Sequence, residues 1–133
     1  MKIETKEISF PVLKEKEVRL FIKRIDKIHP FVSGNKWFKL KYNLLEAQKQ
    51  GLNTLLTFGG AYSNHIAATS FAAQKKGLIS IGIIRGEEDL PLNPTLCFAK
   101  ENGMKLHYVS RSYYREKNSV DFLEKLNVLA ITN

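Results

Sequence analysis

Sulfur is scarce in this chain, and acid is outnumbered by base. A single cysteine, Cys97, stands among 133 residues and excludes an internal disulfide framework. No run is long and apolar enough to cross a membrane. The first residues, Met1-Lys2-Ile3-Glu4-Thr5-Lys6-Glu7, carry charges where a signal peptide needs an apolar stretch. The expectation is a cytoplasmic, reducing compartment. Carboxylates number 13 against 21 lysines and arginines, so the formal charge is +8. What is present is ordinary: 44% hydrophobic and 26% charged residues suit a globular chain and exclude a disordered or collagen-like one. This length forms about one domain and buries roughly two thirds of its unfolded surface.

The positive charge is clustered. Lys23, Arg24, Lys27, Lys36, Lys39, Lys41 and Lys49 face only Asp26 and Glu46 in the same span. Nucleic-acid binding is one reading of that segment. Against it, 16 of the 21 basic residues are lysine, the poorer reader of base edges, and no DNA- or RNA-binding signature is visible. A local site for one small anion fits the clustering at least as well.

From residue 53 onward short apolar runs alternate with helix signals. Asn53-Thr54-Leu55-Leu56-Thr57-Phe58 reads as a buried strand stopped by Gly59-Gly60. A helix is expected over 65–76, closed by Gly77. A strand follows over 78–84. Asn93 is placed to cap a helix with Pro94 at its first position, which Gly103 ends. Residues 104–109 read as a third strand, the polar stretch 110–119 leads to a short helix over 120–126, and Val128-Leu129-Ala130-Ile131 as a last one. Strands and helices alternating at this spacing define an α/β fold, an open parallel sheet with helices on both faces. Ahead of it, Val18, Leu20 and Ile22 alternate with Arg19, Phe21 and Lys23 as in a half-buried strand. A loop over 26–34 then leads to a helix from Asn35 or Lys36 to about Gln50, with Trp37, Leu40, Leu44 and Ala47 on one face.

Two segments carry chemistry. In Ser33-Gly34-Asn35-Lys36-Trp37-Phe38-Lys39, Gly34 permits a tight backbone approach and Asn35 suits a cap. A helix N-terminus and the neighbouring Lys39 both disfavour an ammonium at Lys36, which favours the free amine a Schiff base requires. One lysine could then meet an aldehyde and the other a phosphate; from spacing alone the favoured reading is two solvated lysines on an amphipathic helix. In Gly59-Gly60-Ala61-Tyr62-Ser63-Asn64-His65, a strand end meets a helix start, where open parallel sheets bind ligands and free N–H groups favour a carboxylate or phosphate. The plainer reading is a turn with an N-cap, His65 being an ordinary side chain.

Taken together, Ser33-Gly34-Asn35-Lys36 with Lys39-Leu40, then Gly59-Gly60 with Ser63-Asn64-His65, resemble the 1-aminocyclopropane-1-carboxylate deaminase / D-cysteine desulfhydrase family, as do Leu20-Phe21-Ile22-Lys23-Arg24 and Asn93-Pro94. The resemblance spans most of residues 8–126. It implies the tryptophan-synthase-β-like fold (fold type II) and pyridoxal 5′-phosphate as cofactor. It implies further that Lys36 forms the Schiff base and shuttles the proton, Lys39 lies near the cofactor phosphate, and Asn64 hydrogen-bonds the pyridine 3′-oxygen. Ser63 is implied near the substrate carboxylate, and His65 on the substrate side, where it leans toward a desulfhydrase. No metal site is implied.

The resemblance also sets departures. It assigns residues 1–34 to the family's large domain and 35–133 to the small α/β domain, with the family's second half absent. Ile25 stands where an acidic residue is common and Phe38 where arginine is common. The expectation is therefore a truncated deaminase or desulfhydrase acting on a small amino acid and inactive as this chain alone. Its exposed domain interface would engage a second copy or a partner chain. A non-catalytic α/β remnant or interaction module is the alternative, and a basic nucleic-acid-binding domain the third reading.

Overall fold

Thr5–Ile8 (β1) turns back through a short helix, Pro11–Glu15 (α1), and pairs antiparallel with Leu20–Lys23 (β2) in the register Thr5↔Lys23 and Ile8↔Leu20. Pro11 stands in the first turn of α1, where its missing N–H costs nothing. A 3-10 turn, Ile25–Lys27, and a loop lead to Asn35–Lys49 (α2). The computed structural model describes residues 3–122, 124 and 125. They fall into two compact units, Met1–Asn53 and Thr54–Asn133.

In the first unit, β2 starts at Leu20 rather than at residue 18, and none of its four residues is buried. The alternation there does not mark a half-buried strand, because a two-stranded ribbon brings no second layer to cover its faces. β1 and α1 were not expected: Thr5–Ile8 holds three polar residues in four, and only its pairing with β2 makes it a strand. On α2, Leu40, Leu44 and Ala47 are buried at the predicted helical spacing, and Trp37 is half-buried.

The second unit runs Thr54–Gly60 (β3), Asn64–Lys75 (α3), Ile79–Arg85 (β4), Pro94–Glu101 (α4), Lys105–Val109 (β5) and Arg111–Arg115 (α5), in the predicted order as far as β5. The sheet is parallel, in the order β3-β4-β5, with Thr57↔Gly82 and Gly82↔Leu106 among its register pairs. The central strand β4 is apolar on both faces because both are covered. On one, Ile84 packs with Ile66, Leu96, Ala99 and Met104, under α3 and α4. On the other, Ile81 and Ile83 pack with Val109 and Phe122, joined by Tyr113 and Tyr114 of α5. Asn93 caps α4, its Oδ1 accepting the Thr95 and Leu96 N–H at 2.9 and 3.1 Å, and Pro94 opens the helix as expected. Gly77 and Gly103 follow α3 and α4 with φ of +67° and +80°.

Two expectations change. β3 does not stop before Gly59-Gly60: those residues are its last two, paired with Ile84 and Arg85. The polar stretch after β5 contains α5, whose start is capped by Ser110 Oγ accepting the Tyr113 N–H at 3.2 Å. Residues 120–122, 124 and 125 are helical, as expected of the helix over 120–126, while residues 123 and 126 and the run Val128-Leu129-Ala130-Ile131 lie outside the described residues. Among the described residues no helix is long and apolar enough to cross a membrane.

Candidate functional site

The segment before Lys36 is a closed loop. Its neck is a hydrogen bond from the Gly34 N–H to the Ile25 carbonyl at 2.9 Å. Its base is held by the Arg24 guanidinium, which donates to both oxygens of Asp26, Nε to Oδ1 at 2.9 Å and Nη2 to Oδ2 at 2.6 Å. Those bonds hold the Asp26 carboxyl below the usual carboxylate range. Lys27 Nζ donates to Glu4 Oε2 at 3.0 Å, tying the loop to the residue before β1 and lowering the Glu4 carboxyl likewise. Inside the loop Val32 is buried and His29 Nδ1 accepts the backbone N–H of Phe31 and of Val32, each at 3.1 Å.

Gly34 is the N-cap of α2, with φ +61° and ψ −142°, a backbone state that a residue with a Cβ rarely adopts. Asn35, expected as the cap, is instead the first helical residue, and no side chain caps this helix. Lys36 follows in the first turn, half-buried, its N–H donating to the Ser33 carbonyl at 3.3 Å. Lys39 lies one turn on and is exposed. No carboxylate of the described residues pairs with either amine.

The second loop sits at the carboxyl end of β3. The Ser63 N–H donates to the Gly60 carbonyl at 3.0 Å, closing a four-residue turn. Ser63 Oγ then accepts the His65 and Ile66 N–H at 3.2 and 3.4 Å, capping α3. The turn-and-cap reading of this segment is thus what the fold contains, and two of the N–H groups expected to be open to an anion are taken by Ser63 itself. Asn64, at the helix start, is exposed, and His65 is half-buried. Arg85, opposite Gly60 in the ladder, ends β4 at the same edge, its guanidinium facing the Tyr114 ring at 5.8 Å.

Lys36 and Lys39 therefore share one helix start and Ser63, Asn64 and His65 another, the first in the unit Met1–Asn53 and the second in Thr54–Asn133. Among the described residues no cluster of His, Cys, Asp and Glu is suited to a metal ion. His29 is not among the residues that spacing singles out. A lone histidine in a loop carries no periodic signal; the only clue was its place just ahead of the serine-glycine pair.

No family model matches the chain. A crystal structure of a homologue of 1-aminocyclopropane-1-carboxylate deaminase superposes with a TM-score of 0.73 and 28% identity, over 98% of this chain and 40% of that one. Its architecture places the chain in the tryptophan-synthase-β-like class of mixed α/β proteins. Among curated proteins, a putative 1-aminocyclopropane-1-carboxylate deaminase of Pyrococcus abyssi is 39% identical over 82 residues, which is 62% of this chain and 25% of that protein. One of the same name from Thermotoga maritima is 35% identical over 101 residues, 76% of this chain and 32% of that protein. The mitochondrial bifunctional D-cysteine desulfhydrase/1-aminocyclopropane-1-carboxylate deaminase of Arabidopsis thaliana is 36% identical over 100 residues, 71% of this chain and 25% of that protein. Over the residues matched, proteins named 1-aminocyclopropane-1-carboxylate deaminase and D-cysteine desulfhydrase are homologues of this chain. The chain spans about a quarter to a third of the length of these curated relatives.

Proposed function

We propose that this chain carries part of the active site of a pyridoxal-phosphate-dependent deaminase or desulfhydrase, acting on a small amino acid of the 1-aminocyclopropane-1-carboxylate or D-cysteine type. The observation that supports it most is Lys36: a half-buried lysine in the first turn of α2, with no carboxylate of the described residues paired to it, in a chain homologous to this family. The donor set suits the cofactor. An amine suits an aldehyde, a second amine a phosphate, and a hydroxyl and an amide suit the oxygens of a carboxylate and a phenolate.

When bound, pyridoxal phosphate supplies the electron sink that stabilises negative charge at an amino acid's α-carbon. The chain's own residues do the rest. Lys36 would hold the cofactor's aldehyde carbon and carry the proton to and from the α-carbon. Lys39 would face the phosphate. Asn64 would donate from Nδ2 to the ring oxygen, Ser63 from its hydroxyl to the substrate carboxylate, and His65 would border the substrate. In this reading residues 1–34 correspond to the large-domain part of the family and 35–133 to the small domain. Orientation and closure supply much of an enzyme's rate, so these residues alone should attach cofactor weakly and turn over slowly or not at all.

Incubation with pyridoxal phosphate, reduction with borohydride and peptide mass mapping tests this reading. Attachment concentrated on Lys36 and lost in Lys36→Ala supports it. Label spread evenly over the lysines, or surviving Lys36→Ala, leaves a non-catalytic α/β module as the better description.

A further inference from the structure

We infer that His29 is a positioning residue for Lys36, an inference that rests on Lys36 being the cofactor's lysine. The loop from Ile25 to Gly34 is closed at its neck by one backbone hydrogen bond, and α2 begins directly beyond it. Inside, one atom organises the chain: His29 Nδ1 accepts the Phe31 and the Val32 N–H, both at 3.1 Å. Val32 is only 5% exposed, so an amide there left without an acceptor would be costly. With Nδ1 accepting, the neutral ring carries its proton on Nε2.

The same imidazole reaches the helix. It stacks on Trp37 with ring centroids 5.9 Å apart and 22° between planes, and Trp37 is the residue after Lys36. His29 thus grips the loop through its nitrogen and the first turn of α2 through its face. Between those two grips lie Ser33, Gly34, Asn35 and Lys36. A lysine side chain is long and flexible, so the protein steers its amine mainly by fixing where the backbone of Lys36 starts and how that helix turn is oriented. His29 is placed to do both without touching the reacting atoms.

Three substitutions separate the acceptor from the ring. His29→Phe keeps an aromatic face for Trp37 and removes the acceptor. His29→Asn supplies an oxygen that bonds backbone amides two and three residues on and removes the ring. His29→Ala removes both. The full chain is titrated with pyridoxal phosphate, and the share attached at Lys36 is read after borohydride reduction by peptide mass. Exchange of the Phe31 and Val32 amides with deuterium is read on the cofactor-free chain. His29→Ala should need roughly tenfold more pyridoxal phosphate for half attachment, with both amides exchanging faster; His29→Phe, with the amides exchanging faster, and His29→Asn, with the amides protected, should each fall between His29→Ala and the parent. His29→Ala matching the parent in attachment overturns the inference, as does His29→Phe matching the parent in both readouts. A parent chain that attaches no cofactor at Lys36 overturns the functional reading and this inference together, and is recognised before any His29 variant is made.

Discussion

A β-carbon on Gly59 would lie 2.5 Å from Cγ1 of Ile66 and 2.9 Å from both Cβ and Oγ of Ser63. The end of β3 and the first turn of α3 therefore touch where only a hydrogen fits, and this contact sets the Ser63-Asn64 turn against the sheet. Ile66 is fully buried and anchors one face of the core, so it has little room to withdraw. Gly59→Ala should destabilise the protein by about 1–3 kcal/mol. Gly60→Ala, whose new methyl would meet Arg85 at 3.8 Å, should cost less than about 1 kcal/mol. Denaturant unfolding of both variants checks the contrast.

Asn93 and Ser63 are both helix caps, and only one lies in the proposed site. Asn93→Ala should lose about 1 kcal/mol of stability with attachment of pyridoxal phosphate at Lys36 unchanged. Ser63→Ala should lose a similar amount, because its Oγ accepts the same kind of amide pair. In the assembled site it should also weaken retention of a substrate carboxylate. Unfolding curves should shift alike for both, and amino-acid binding to the cofactor-loaded protein should fall in Ser63→Ala alone.

Phe122 is fully buried, its ring 4.5 Å from Tyr113 and 6.1 Å from Phe58. It closes the sheet face opposite α3. Phe122→Ala should cost about 3–5 kcal/mol and shift the thermal midpoint down by many degrees, read by calorimetry.

The first unit should loosen at low pH. Glu4, Glu7 and Asp26 are held below the usual carboxylate range, chiefly by hydrogen bonds from Lys27, Arg19 and Arg24 respectively. A carboxyl depressed in the folded state contributes stability that is present above its unfolded value, near pH 4, and is lost as pH falls through the folded one. All three are at the surface, so the contribution is small and salt should weaken it further. Carboxyl carbon shifts followed by NMR on acidification should show these three titrating below the other acids. Midpoints for the three in line with the other acids would contradict the pairing.

Much of this fold is legible locally. Asn93-Pro94, Gly77 and Gly103 act within a few residues of themselves, through caps and left-handed turns, and the helices they bound fall within a residue or two of expectation. The apolar runs that became β3, β4 and β5 needed no long-range information either: β4, covered on both faces, declares itself by composition, and the partly buried β3 and β5 by short apolar runs between helix signals. Lys36 and Lys39 at a helix start, and Ser63 and Asn64 at another, follow from glycine and cap chemistry in the same local way.

What only the tertiary structure decided depends on groups far apart in the chain. Gly59 and Gly60 continue β3 because Ile84 and Arg85 of β4 offer them ladder partners; alone, a glycine pair reads as a stop. Thr5–Ile8 is a strand only because Leu20–Lys23 lies beside it. α5 forms in a polar stretch because Tyr113 and Tyr114 find Phe122 and Phe58 to pack on. His29 acquires its place through two backbone amides and the ring of Trp37, which only the folded loop brings to its edge and face. The sequence alone determined the alternation from β3 to β5 and where α3 and α4 begin and end, because capping and burial patterns are short-range. Strand extent, helix stabilisation by distant rings and the organisation of the loop before Lys36 required the folded chain, because each arises from contacts whose partners the linear order does not name.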